Sequence, residues 1–127
     1  MNPYFLAAAV LLIAIGLIHS ILGERIIFRR MRTQGMIPTQ GGNLLREPHV
    51  RILWATWHMA SVLGWFCAAV LFWLALPSTQ NVDTTFLAKA LVITLLASSA
   101  LVLIGTKGRH PGWVGLLAAG LLVVAGA

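Results

Sequence analysis

Histidines and a glutamate are the residues of this sequence whose types and positions could support chemistry. His19 lies near the end of the first apolar run, His58 lies inside the second, and Glu24 lies just beyond the first. Imidazole and carboxylate groups bind transition metals, imidazole serves as an axial ligand of haem, and a histidine exchanges protons near neutral pH. An ionisable side chain within a membrane span indicates a functional site, because its burial in lipid costs free energy.

These residues predict a polar site between the first two helices. His19 and His58 lie about one and two turns inside their runs, so antiparallel neighbours would bring the two imidazoles to depths that differ by about 6 Å. The candidate ligands of a metal or redox cofactor are His19, His58, Glu24 and His110. A transition metal, haem or quinone is the leading hypothesis for what they bind.

Two other functions are compatible with these histidines. The histidines could relay a proton or a substrate in a small oligomeric transporter or channel. Alternatively, they could only hold two helices together in an accessory subunit of a membrane complex. No two histidines are three or four residues apart on one helix, and Cys67 is the single cysteine, so the spacing selects no particular metal. Catalytic residues, and whether the protein is an enzyme, stay undetermined.

A polar and aromatic stripe accompanies His58 along the second apolar run. It comprises Arg51, Trp54, Ser61 and Trp65, at offsets of −7, −4, +3 and +7 from His58. Residues at these offsets share one face of an α-helix. The stripe predicts that this face contacts protein or a cavity rather than lipid. Trp54, Trp57 and Trp113 also lie near one predicted membrane boundary, where interfacial tryptophans are common.

The composition places the chain among membrane proteins. Of its 127 residues, 59% are hydrophobic and only 9% are charged, and the mean hydropathy is +0.89. A soluble domain carries more charge on its surface. The net charge of +6 comes from basic residues that flank apolar runs, which favours anionic lipids as partners and argues against nucleic acid.

Four apolar runs predict a single all-α integral membrane domain over residues 1–127. The predicted transmembrane helices cover residues 3–22, 52–76, 84–104 and 112–127, and they are expected to form an antiparallel bundle. The fourth is the shortest and falls a few ångströms short of a roughly 30 Å hydrocarbon core. Residues 23–51 and 105–111 form the connecting basic loops.

The distribution of charge predicts the orientation. Eight of the nine lysines and arginines lie in loops 23–51 and 105–111, whereas the connection "PSTQNVD" contains none. The positive-inside rule then places both loops in the cytoplasm and both termini outside, in the cell inner membrane. Arg25, Arg29, Arg30 and Arg32 are predicted to contact lipid headgroups.

Small residues at four-residue spacing predict close helix packing. They form three rows: Gly16 and Ser20; Ala60, Gly64 and Ala68; and Gly115 and Ala119. Such rows let helix backbones approach each other in lipid. They are equally suited to contacts within one chain, in a homo-oligomer, or with a larger membrane complex.

The cofactor hypothesis predicts a measurable property of the purified protein. Bound haem would give a Soret band, and a metal site would give a stoichiometric signal in elemental analysis. A colourless, metal-free preparation would contradict the metal and haem forms of this hypothesis.

Overall fold

The computed structural model describes residues 1–79 and 83–127, and every regular element within these ranges is helical. Four α-helices are present: α1 (Pro3–Leu22), α2 (Glu47–Ala75), α3 (Thr85–Gly105) and α4 (Gly112–Gly126). The prediction of an all-helical chain with four helices is confirmed. The predicted outer connection falls partly on residues 80–82, which lie outside the described ranges.

Three of the helices are long and apolar enough to cross a membrane. They are α1 with its continuation to Met31, at 29 residues, α2 at 29 residues and α3 at 21 residues. Helix α4 is apolar but has 15 residues, which corresponds to about 22 Å of helix. These lengths support the membrane class that the composition indicates.

The chain divides into two compact units. The first comprises Met1–Ile15 and Trp65–Ala127, and the second comprises Gly16–Gly64, so α1 and α2 each contribute to both. The core of the first unit contains buried residues of all four helices, including Ala8, Leu71, Leu95 and Ala119. Helices α3 and α4 pack against each other in this unit.

Asn2 organises one end of the first unit. Its side-chain Oδ1 accepts hydrogen bonds from the backbone N–H groups of Tyr4 and Phe5, at 3.0 and 3.3 Å, and therefore caps α1. Its Nδ2 donates to the Gly126 carbonyl at 2.8 Å, and its backbone N–H donates to the Ala75 carbonyl at 2.8 Å. One side chain and its backbone thus join the start of α1 to the ends of α2 and α4.

Local polar contacts also delimit α3. The Asp83 carboxylate accepts a hydrogen bond from the Thr85 backbone N–H at 3.0 Å, and this bond lowers the pKa of Asp83. At the other end, Lys107 and Gly108 adopt positive φ angles of 52° and 74°. The Gly108 N–H reaches back to the Leu103 carbonyl at 2.8 Å, which closes α3 before the chain turns into α4.

The second unit begins where α1 loses its regular form. The chain continues through a π-helical turn (Gly23–Ile27) and a 3₁₀ turn (Phe28–Met31). The backbone N–H groups of Thr39 and Gln40 then donate to the Met31 carbonyl, so the loop folds back on the end of this turn. Helix α2 starts at Glu47 and carries Pro48 in its first turn, where a missing N–H costs little.

The cap on α1 gives a test of the fold. Replacing Asn2 by alanine is expected to lower the free energy of unfolding by about 0.5–2 kcal/mol, because two N–H groups lose their acceptor. Asn2→Asp keeps the acceptor and loses only the donation to Gly126, so it should retain most of that stability. Denaturant titration of both variants in micelles measures the difference; equal losses would show that the cap contributes nothing.

Candidate functional site

Two adjacent faces of the first helix define a polar cluster in the second unit. Ser20 and Glu24 are four residues apart and share one face, whereas His19 and Gly23 share the next, about 100° around the helix axis. The same offset separates Trp57 from His58 on α2. Accordingly, Ser20 and Glu24 meet His58, while His19 and Gly23 meet Trp57.

Three side chains form a hydrogen-bonded chain across the two helices. The Ser20 hydroxyl donates to Ser61 Oγ at 2.8 Å, and Ser20 Oγ lies 3.0 Å from His58 Nδ1. A hydroxyl has a single proton, so Ser20 must accept from His58 at the second contact. This hydrogen-bond pattern corresponds to the tautomer of His58 that carries its proton on Nδ1. Ser61 is 3% exposed, which shelters this end of the chain from solvent.

The other nitrogen of His58 faces a carboxylate without a hydrogen bond. His58 Nε2 lies 3.7 Å from Glu24 Oε2 and has no hydrogen-bond partner, although the atom itself is buried. The two side chains are 28% and 29% exposed. With Nδ1 protonated, a neutral imidazole would direct its lone pair at the carboxylate, which is repulsive. One additional proton, on either group, removes that repulsion.

Two groups that stabilise a negative charge, a guanidinium and an indole N–H, lie next to the Glu24 carboxylate. Arg32 Nη1 forms an ion pair with Glu24 Oε1, and the Trp54 indole Nε1 donates to Oε2 at 3.3 Å. Neither Arg32 Nε nor Glu24 Oε1 makes a hydrogen bond, so Arg32 and Glu24 interact through their charges rather than through a side-on fork. The Trp54 ring also packs edge-on against His58, with centroids 5.1 Å apart. Glu24 is thus held between the continuation of α1 and helix α2.

His19 belongs to a second, mainly aromatic contact. Its ring stacks on Trp57 with centroids 4.3 Å apart and planes 7° from parallel. The Trp57 indole Nε1 donates to the His19 carbonyl at 3.0 Å. The same indole lies directly over Gly23, where a Cβ would overlap its Nε1. Glycine at position 23 is therefore what allows this tryptophan to lie flat against the first helix.

The four candidate ligands of a metal or cofactor do not form one group. His58 and Glu24 face each other, and His19 lies beside them on the Trp57 ring. His110 belongs to the first unit, where its Nδ1 accepts a hydrogen bond from the Gly112 N–H at 3.0 Å. Within residues 1–79 and 83–127, no three His, Cys, Asp or Glu side chains gather in an arrangement that could hold a metal ion.

The polar stripe of α2 has several partners. Trp54 and Ser61 belong to the cluster around His58. Arg51 instead pairs with Glu47 one turn earlier, and both are largely exposed. Trp65 belongs to the first unit, where its indole donates to the Ile13 carbonyl at 3.3 Å.

The predicted headgroup arginines also divide. Arg32 is bound to Glu24, whereas Arg25, Arg29 and Arg30 are exposed.

The rows of small residues lie in different environments. Ala68 and Ala119 lie in the core of the first unit, Gly115 contacts Ile15 there, and Gly16 is buried. Ala60 is exposed, and a Cβ at Gly64 would meet nothing within 4 Å, so Gly64 has no close packing partner within the described residues.

No protein family, curated protein or solved structure matches this chain.

Sequence reasoning assigned different roles to three residues of this cluster. The sequence predicts Arg32 as a lipid-headgroup contact and Trp57 as an interfacial tryptophan, and it places Gly23 on the face of His19 without predicting its contact with Trp57. The spacing of His19 and Gly23, four residues apart, was a usable signal for a flat aromatic neighbour. Nothing in the periodicity points to Arg32, because the chain between it and Glu24 passes through two irregular turns.

The contact between Gly23 and Trp57 gives a second prediction. In Gly23→Ala the new Cβ would lie 2.5 and 2.8 Å from indole Cε2 and Cδ1, so the ring must move away from His19. We expect a loss of about 1–3 kcal/mol in the free energy of unfolding, and a changed near-UV circular dichroism spectrum. Gly64→Ala is the matched control, because its Cβ meets nothing within 4 Å. Equal stability of the two variants would contradict the packing.

Proposed function

We propose that this protein is a small multi-pass membrane protein that takes up and passes protons through His58 and Glu24. One observation carries the proposal: the buried His58 Nε2 lacks a hydrogen-bond partner and faces Glu24 Oε2 at 3.7 Å. An additional proton could therefore be bound between His58 Nε2 and Glu24 Oε2. Imidazole is the side chain best suited to exchange that proton near neutral pH.

The contacts of His58 and Glu24 offer a route for the proton and compensate the charge of the carboxylate. On one side, His58 connects through Ser20 to Ser61, and hydroxyls can both donate and accept. On the other side, Arg32 and Trp54 stabilise the ionised carboxylate of Glu24. Protonation of His58 would then create an imidazolium next to an anion that is already held in place.

A metal or redox cofactor at this site is the less favoured candidate. Arg32 already supplies a positive charge at Glu24, and a second cation there would be repelled by it. One nitrogen of His58 is engaged with Ser20, and the His19 ring is stacked on Trp57. Haem ligation by His19 and His58, or binding of a quinone, would require these contacts to rearrange.

The proposed setting is the inner membrane, with both basic loops in the cytoplasm and both termini outside. The asymmetry of the lysines and arginines supports this orientation. The site then lies at the cytoplasmic leaflet, close to the aqueous phase from which it would receive protons. Self-association through Gly64 is compatible with this proposal, because a Cβ at this position of α2 would meet nothing within 4 Å.

Proton flux into proteoliposomes tests the proposal. With a potassium diffusion potential and an internal pH dye, the wild-type protein should carry protons faster than protein-free vesicles. Glu24→Gln and His58→Gln should each reduce this flux by about tenfold or more, because each removes a proton-exchanging group. Glu47→Gln and His49→Gln are matched controls, since both residues are exposed and outside the cluster. No flux above the protein-free rate, or flux indifferent to Glu24→Gln, would overturn the proposal.

A further inference from the structure

An apolar groove lies beside the proton site within the second unit. Its volume is about 460 Å³. One wall is helix α2, which contributes Leu53, Trp57 and Ala60; the other is the 3₁₀ turn, which contributes Phe28 and Met31. The groove is distinct from the His58–Glu24 pair, neither of which lines it.

The polar side chains that line the groove already form hydrogen bonds or stacking contacts within the protein. The Thr56 hydroxyl donates to the carbonyls of Ile52 and Leu53, at 2.8 and 3.1 Å. The Trp57 N–H donates to the His19 carbonyl, and the stacked rings of these two residues form a flat surface. A ligand in the groove therefore finds hydrocarbon and ring faces, which suit an acyl chain rather than a polar molecule.

Positive charge lies next to this apolar surface. The segment from Glu24 to Arg51 has six arginines and two glutamates, and each glutamate is paired with one arginine. Arg25, Arg29, Arg30 and Arg46 are exposed and form no ion pair within residues 1–79 and 83–127. Arg29 and Arg30 follow Phe28 directly in the turn that forms one wall, and Arg46 follows Leu45, which also lines the groove.

We infer that the groove binds one acyl chain of an anionic phospholipid whose phosphate is held by Arg29 and Arg30. An anionic amphiphile matches both parts of the surface: its chain meets the apolar walls, and its headgroup meets unpaired guanidinium groups. The inference rests on the proposed membrane location, but not on proton transfer, because it uses none of the residues of the proton path. The basic loop would then bind one lipid molecule at a defined site, in addition to its general attraction for anionic headgroups.

Native mass spectrometry of the detergent-purified protein tests this site. Phosphatidylglycerol and phosphatidylcholine with identical acyl chains are the two probes. The wild-type protein should bind one phosphatidylglycerol about tenfold or more tightly than phosphatidylcholine, since two arginines contact the phosphate. Equal affinities for the two lipids would overturn the inference.

Two pairs of variants test the contributions of the apolar groove and of the arginines separately. Ala60→Phe fills the groove and should weaken both lipids by about tenfold. Ala55→Phe is its control, an exposed alanine of the same helix outside the groove. Arg29→Gln/Arg30→Gln should abolish the preference for phosphatidylglycerol, whereas Lys107→Gln/Arg109→Gln removes equal charge from the other basic loop and should preserve it. A similar effect of the control in either pair would overturn the lipid site.

The remaining outcomes are also decisive. If a second copy of the chain occupied the groove, Ala60→Phe would convert a dimer to monomer without changing lipid affinity, and the inference would be wrong. Proton flux of Ala60→Phe, measured alongside, separates the two proposals. Lost lipid binding with normal flux supports the site and leaves the proton path standing, whereas normal lipid binding in Glu24→Gln shows that the lipid site holds even if the proton path fails.

Discussion

The carboxylate of Glu24 is the constraint on which the second unit depends. It lies just beyond Leu22, where an apolar helix of 20 residues ends, and a partly buried carboxylate needs groups that compensate its charge. Arg32 and Trp54 supply a cation and an N–H, from the continuation of α1 and from α2 respectively. Removing either partner would leave a partly buried charge without its compensation. The irregular turns after Leu22 bring Arg32 to Glu24, whereas a straight helix would place Arg32 about two turns away.

The proposed proton path and the proposed lipid groove use adjacent faces of one pair of helices. Ser20 and His58 point to the polar side, and their sequence neighbours His19 and Trp57 point to the apolar side. The two sides are joined by the backbone, because Trp57 donates to the carbonyl of His19. A lipid that displaced the Trp57 ring would therefore disturb the helix that carries Ser20. If both proposals hold, the composition of the bilayer would affect the proposed proton site through this contact.

Periodicity accounts for the parts of the site that lie on regular helix. The four helices follow from the apolar runs, and the shared face of Trp54, His58 and Ser61 follows from offsets of −4 and +3. The expectation that His19 would oppose His58 did not allow for Ser20, whose side chain takes that position one residue later. Arg32 could not be assigned, because its approach to Glu24 depends on a π-helical and a 3₁₀ turn that leave no repeat in the sequence. Such contacts are set by tertiary structure.

In the proposed proton path, the single proton of the Ser20 hydroxyl would set the direction of transfer. At rest every donor points the same way, from His58 to Ser20 and from Ser20 to Ser61. After one proton has moved along it, each hydroxyl and the imidazole would be left donating in the opposite sense. A second proton could follow only when all three groups had rotated or exchanged tautomer. Turnover would then be limited by this reset, and a substitution that slows side-chain rotation would reduce the rate without altering either titrating group.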